Sequence, residues 1–203
     1  MKLPFFASFI IFCIWLTFAL MRSRRQSEHN NDKFWEREAR ANATRKKSLD
    51  GLDYIQVPYE SLPLSLCSDD PEIADCHRIL TGLKDKKIVN LTGYTNTDLK
   101  LEYGAPNITL LTSYDQNYTL LVRTLQRLSD LLIARGFQEE AIPVLEFAVS
   151  THTDISATYR TLASIYYDKQ ERNKIEHLKE IAESLRSAMR PSILKTLDEF
   201  LAK

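Results

Sequence analysis

Few side chains in this chain are placed to do chemistry together. The four histidines, His29, His77, His152 and His177, stand apart, and none has a second ligand at metal spacing. No HExxH or CxxC pattern occurs, so no metal site is assigned. Cys76-His77 is the one adjacent soft pair. Neighbours on a helix point about 100° apart, and Cys76 falls on the apolar face of its segment, so a buried structural thiol is expected there. The five glycines (51, 82, 93, 104 and 136) are isolated, which excludes a phosphate-cradling loop and a dinucleotide fingerprint. Glu139-Glu140 opens a helical stretch and complements its dipole. No catalytic or cofactor-binding residue is therefore assigned, and the chain does not read as an enzyme. Four sequons begin at Asn42, Asn90, Asn107 and Asn117. They are glycan sites if the chain enters a secretory lumen, and chance matches if it does not.

The charge supplies no global field: 27 basic residues balance 27 acidic ones, so nucleic acid is not an expected partner. Leu3 to Met21 is uncharged and long enough to span a ~30 Å hydrocarbon layer as a helix. A cleaved signal peptide is the rival reading, with Thr17-Phe18-Ala19 as its weak cleavage site. Only Lys2 precedes the run, whereas Arg22, Arg24 and Arg25 follow at once, which favours a retained single-pass anchor with the carboxyl-terminal domain in the cytoplasm. A lumenal, glycosylated arrangement is the alternative, and it would permit a Cys67–Cys76 bridge.

The elements that must position any site follow in order. Residues 22–48 are a charged juxtamembrane helix or tether, in which Phe34-Trp35 either sits on a solvated helix or dips into the lipid interface. Residues 49–69 are too apolar for a free linker, and Pro58 and Pro63 forbid a regular helix, so an extended strap packed on the domain behind it is expected. Residues 70–121 are a non-repeat helical segment. Asp70-Pro71-Glu72 starts a helix that runs to about Lys86, a short helix covers Thr97 to Tyr103, and the chain is helical from Asp115 to a stop at Gly136. Further helices are predicted over Glu139–Ser150, Ile155–Asp168, Glu171–Ser187 and Pro191–Leu201, with Pro143 expected to kink the first.

Within residues 122–203 a period of 34 appears. Leu128, Ser129, Leu132, Ala141 and Ala148 align without a gap on Leu162, Ala163, Tyr166, Ile175 and Ala182. This segment resembles the tetratricopeptide repeat, a 34-residue helix-turn-helix unit. The small residues let helices approach closely while the large ones fill the remaining volume. Gln170 replaces the turn glycine of the first copy, Ile175 is large where a small residue is usual, and Lys179 stands where the first copy has Leu145. Two copies are fewer than the ~3 such arrays need, so the upstream helices, the strap and a capping helix from Pro191 must complete the core. A fainter resemblance is to small membrane-anchored proteins of Gram-positive bacteria. It rests on Phe34-Trp35-Glu36-Arg37-Glu38, Arg45-Lys46-Lys47, Leu52-Asp53-Tyr54-Ile55 and Leu99-Lys100-Leu101-Glu102-Tyr103-Gly104, and implies an anchored arrangement without an activity.

The expected fold is thus all-α: an amino-terminal transmembrane helix, then antiparallel helical hairpins with a strap and a capping helix. The repeat resemblance implies a groove on the inner face of the first helix of each pair, with Arg123, Gln126, Arg127, Asp130, Arg160, Ser164 and Tyr167 as its candidate partner-binding residues. The expected partners are another protein and, through Leu3–Met21, the bilayer. One functional reading is a membrane-tethered adapter or scaffold. The other is a regulatory or structural subunit whose groove its own 49–66 segment fills.

Overall fold

The computed structural model describes residues 3–202; the side chains of residues 3–7 and 23–30 lie outside that description. Among the described residues there are eight α-helices, one 3-10 turn and no strand, only an isolated antiparallel bridge between Tyr54 and Val89. The chain is all-helical. It divides into two compact units, one formed by residues up to 47 with Thr95–Ile108, the other by Ser48–Tyr94 with Thr109–Lys203.

In the first unit, α1 (Leu3–Asn42) is one unbroken helix. Among the described residues no helix is long and apolar enough to cross a membrane. The expected span, Leu3–Met21, begins in side chains outside the description, and the described part from Ser8 to Met21 covers only about 21 Å at 1.5 Å per residue. The spanning role of this segment therefore rests on the sequence. The end of α1 packs on α3 (Asn96–Tyr103), whose capping box pairs the Thr95 side chain with the Asp98 backbone and the Asp98 carboxylate with the Thr95 N–H. Arg37 pairs with Asp98, Glu38 with Lys100, and Ala41 is fully buried. At Gly104, φ is +94° and an added Cβ would stand 2.2 Å from the Arg45 carbonyl oxygen, so only glycine fits.

The second unit holds the repeat. α2 (Pro71–Thr81) starts as the sequence predicts, with Asp70 accepting from the N–H groups of Glu72 and Ile73. It stops short of Lys86, because Thr81-Gly82 has poor helix propensity and the chain turns to bury Leu83. α4 (Ile108–Ala134) begins before Asp115, directly after the 3-10 turn at Ala105–Asn107. Its 27 residues make it about twice as long as α5 (Gln138–Ser150), α6 (Ser156–Asp168) or α7 (Arg172–Glu183). α5 stays helical through Pro143, which removes one hydrogen bond in the second turn. α7 ends before Ser187, since the Ser184 hydroxyl folds back on the Ile181 carbonyl and Leu185 turns into the core. α8 (Arg190–Leu201) closes the unit.

The period is geometric as well as compositional. All ten aligned residues, from Leu128 to Ala182, are no more than 3% exposed. Both hairpin turns are Schellman motifs, in which the residue after the cap is left-handed and two N–H groups close back on the helix. In the first, Gly136 (φ +87°) donates to Ile133 at 3.0 Å and Phe137 to Leu132 at 2.9 Å. In the second, Gln170 (φ +59°) donates to Tyr167 at 3.0 Å and Glu171 to Tyr166 at 2.8 Å. Every partner is displaced by the same interval.

Two apolar cores result. The first joins α2, α4 and one face of α5 (Ala141, Val144, Ala148), with Leu62 buried and Ile55, Val57, Leu64 and Leu66 packed against it from the non-helical 49–69 segment. The second joins the other face of α5 (Leu145, Val149) to α6, α7 and α8.

Candidate functional site

Buried polar groups must find partners, and that requirement sorts the seven groove candidates. Gln126 is 9% exposed: its Oε1 accepts from Thr158 Oγ1 at 2.6 Å, and its Nε2 donates to Asp130 Oδ1 at 2.8 Å. It is a bridge from α4 to α6, a departure from the exposed position that the repeat resemblance implies. Burial raises the carboxyl pKa of Asp130, and the Gln126 amide works against that rise. Arg127 is directed at α2, 3.3 Å from Asp75 and 3.7 Å from Glu72. Arg135, one further turn pair along, meets Asp70 at 2.8 Å and Glu72 at 3.1 Å.

Arg123 and Arg160 are exposed and make no ion pair among the described residues. Ser164 is half-buried, and Tyr167 is 42% exposed with its ring 6.1 Å from that of Phe200 on α8. At about 100° per residue, Arg123, Arg127 and Asp130 share one stripe of α4, and Arg160, Ser164 and Tyr167 share one stripe of α6. The structure joins Gln126 to Asp130 and gives Arg127 to α2. Tyr167 instead borders a groove of about 450 Å³ with Gln170, Arg172, Ile175 and Phe200.

The pair Cys76-His77 lies inside the first core. Cys76 is fully buried, which pushes its thiol pKa up, and burial lowers that of His77, whose Nε2 has no hydrogen-bond partner. Both changes favour the neutral groups. Cys67 and Cys76 are free thiols. No group of His, Cys, Asp and Glu among the described residues is placed to hold a metal ion.

The amide nitrogens of three sequon asparagines are already engaged. Asn107 is fully buried, and its Nδ2 donates to the carbonyls of Lys47 and Tyr103, both at 2.8 Å. Asn90 Nδ2 donates to the Tyr118 hydroxyl at 2.9 Å and to the carbonyls of Thr151 and His152 at 3.0 and 3.1 Å. Asn117 Nδ2 donates to the Lys87 carbonyl at 2.9 Å. A glycan on any of these nitrogens would displace the contact. Asn42 alone among the four is exposed. Because α1 is continuous, Trp35 stands about 21 Å along the axis beyond Met21.

A polar cleft of about 420 Å³ is the feature that sequence reasoning missed. It lies within the second unit, where the ends of α5 and α7 meet the 90–94 loop and Asp53. Its signal was present in the period: Ser150 and His152 align on Ser184 and Arg186 at the same 34-residue interval. No protein-family model, curated protein or solved structure matches the chain.

Proposed function

We propose that this chain is a non-enzymatic protein–protein interaction module, a two-hairpin array of the tetratricopeptide type. In this reading it is tethered through Leu3–Met21 to the cell membrane as a single-pass protein, with the helical domain in the cytoplasm. One observation carries the reading: the 34-residue recurrence of buried positions and of the complete turn hydrogen-bond pattern in α4–α5 and α6–α7. Stacked hairpins of this kind present extended recognition faces more readily than catalytic pockets. Exposed Arg123 and Arg160 would supply charge-assisted contacts, and Tyr167 a rigid aromatic anchor. The engaged amides of Asn90, Asn107 and Asn117 favour a compartment without glycan transfer.

Crosslinking and pull-down in the native host, comparing the wild type with an Arg123→Glu, Arg160→Glu double variant, tests the binding face. Loss of a specific partner with the fold intact is expected; an unchanged partner profile overturns the assignment. Sidedness is read at Cys67, which is half-buried, since Cys76 is closed to reagent. An impermeant maleimide should label Cys67 only after the cells are opened.

The second reading is a structural subunit whose groove its own 49–66 segment fills. That segment packs on the first core, and the groove arginine already engaged within the chain is Arg127, held by Asp75 and Glu72 of α2. A Glu72→Ala, Asp75→Ala variant releases Arg127; partner capture that appears only in that variant favours self-occupancy.

A further inference from the structure

The polar cleft carries a ligand assignment that does not depend on the interaction reading. The ends of α5 and α7 reach it, and helix C-termini ordinarily repel anions through their unpaired carbonyls. Here several of those carbonyls are satisfied, those of Phe147, Ala148 and Val149 in α5 by the N–H groups of Thr151 and His152. Asn90 donates to Thr151 and His152, the Ser184 hydroxyl and N–H both donate to Ile181, and the Leu185 N–H donates to Ala182. The electrostatics of the cleft are then set by its charged side chains, chiefly Arg186 and Asp53.

Arg186 is held firmly. Its Nη1 donates to the Tyr94 hydroxyl, and its guanidinium lies 5.1 Å from the centre of the Tyr94 ring. Gly93, at φ +86°, presses against it so closely that an added Cβ would be 2.7 Å from Arg186 Cβ and 2.8 Å from its carbonyl oxygen. Only one guanidinium nitrogen is used. The Nε–Nη2 edge, which can meet a carboxylate with two parallel hydrogen bonds, has no protein partner among the described residues. Asp53 likewise has no hydrogen-bond or ion-pair partner among them. Two opposite charges therefore line one cleft without forming an ion pair with each other.

A ligand that carries both charges complements that arrangement. We propose that the cleft binds a small zwitterion of the α-amino-acid type, its carboxylate on the free edge of Arg186 and its ammonium group at Asp53. The cleft volume of about 420 Å³ lies in the lower range of ligand pockets. Thr92 and Ser184 add hydroxyl oxygens to the lining, and Leu185 and Ile55 offer apolar contact to the ligand side chain.

The test is calorimetric titration of the full-length protein in detergent micelles with each of the twenty standard L-amino acids, and with acetate and methylamine as half-ligands. At least one amino acid should bind, with acetate and methylamine at least about tenfold weaker. Arg186→Gln and Asp53→Asn should each weaken that binding by about tenfold or more, the scale of one lost charged hydrogen bond, with the thermal midpoint unchanged. Tyr94→Phe, which frees Arg186 without removing its charge, should weaken binding less and keep the stoichiometry. The proposal is overturned if no amino acid binds, if binding survives Arg186→Gln, or if acetate binds as tightly as any amino acid and Asp53→Asn has no effect. That last result would make the cleft a simple anion site.

Discussion

The two hairpins reach the same geometry with different residues, and the substitutions follow from where each hairpin sits. In α4–α5 the turn residue is Gly136, and in α6–α7 it is Gln170, yet both are left-handed and close the same hydrogen bonds. Leu145 of the first hairpin is fully buried against the second. Its counterpart Lys179 faces α8, where it pairs with Asp198 at 2.7 Å and remains partly open to solvent. Leu125 and Leu132 of the first correspond to Tyr159 and Tyr166 of the second, all buried. The first hairpin is covered by the second and the second by α8, and at that second seam an ion pair stands where the first has Leu145. Divergence between the copies is thus position in the array, except at Gln170, where backbone strain is accepted.

The largest effect should separate Leu145 from Lys179. Leu145→Ala is expected to cost about 2–5 kcal/mol, because it opens a cavity where two hairpins meet, as read by chemical denaturation. If it costs less than about 1 kcal/mol, the second core is not the seam described.

Alkaline pH should separate the tyrosines from the leucines. Burial raises the phenol pKa of Tyr159 and of Tyr166, whose hydroxyl also donates to Glu146. A group whose folded pKa lies above its unfolded value contributes stability that is full below that unfolded value, about 10 for tyrosine, and is lost as pH rises from there through the folded value. Hydrogen exchange followed from pH 8 upward should show α6 opening before the Leu125–Leu132 part of α4. Tyr166→Phe should reduce the difference. Tyr118 of α4, pushed up to about 12 by burial, belongs to the other end of that helix and provides an internal reference.

The turns give a smaller, opposite pair of effects. Gly136→Ala has open space for its Cβ but meets the left-handed backbone, and should cost about 1 kcal/mol; Gln170→Gly should gain a similar amount. Two changes of the same sign would contradict the equivalence of the turns. Smallest of all, Lys179→Ala should leave the denaturation midpoint where it is, since the pair with Asp198 is solvated.

The period was legible because burial at Ser129, Ala141, Ala148, Ala163 and Ala182 demands small side chains at helix crossings, and that demand is written in residue type. The continuity of α4 was less so. Nothing local separates a helix beginning at Ile108 from one beginning at Asp115, and the 3-10 turn before it depends on Asn107 finding carbonyls at Lys47 and Tyr103. Gln126 was read as exposed because a glutamine on an inner stripe normally is; its burial depends on Thr158, whose distance in sequence hides the pairing. The cleft draws on four separated segments, and only the alignment of Ser150 and His152 with Ser184 and Arg186 hinted that they converge.

α5 has a consequence for how this unit melts. One face of the helix, through Ala141, Val144 and Ala148, belongs to the core with α2 and α4, and the other, through Leu145 and Val149, to the core with α6, α7 and α8. In a one-dimensional array the coupling between neighbours decides whether ends fray or the whole unfolds at once. A helix committed on both faces makes that coupling strong, so neither core survives the loss of the other. Residues 48–94 and 109–203 should therefore behave as a single cooperative transition, and a protease should find either the intact unit or none of it.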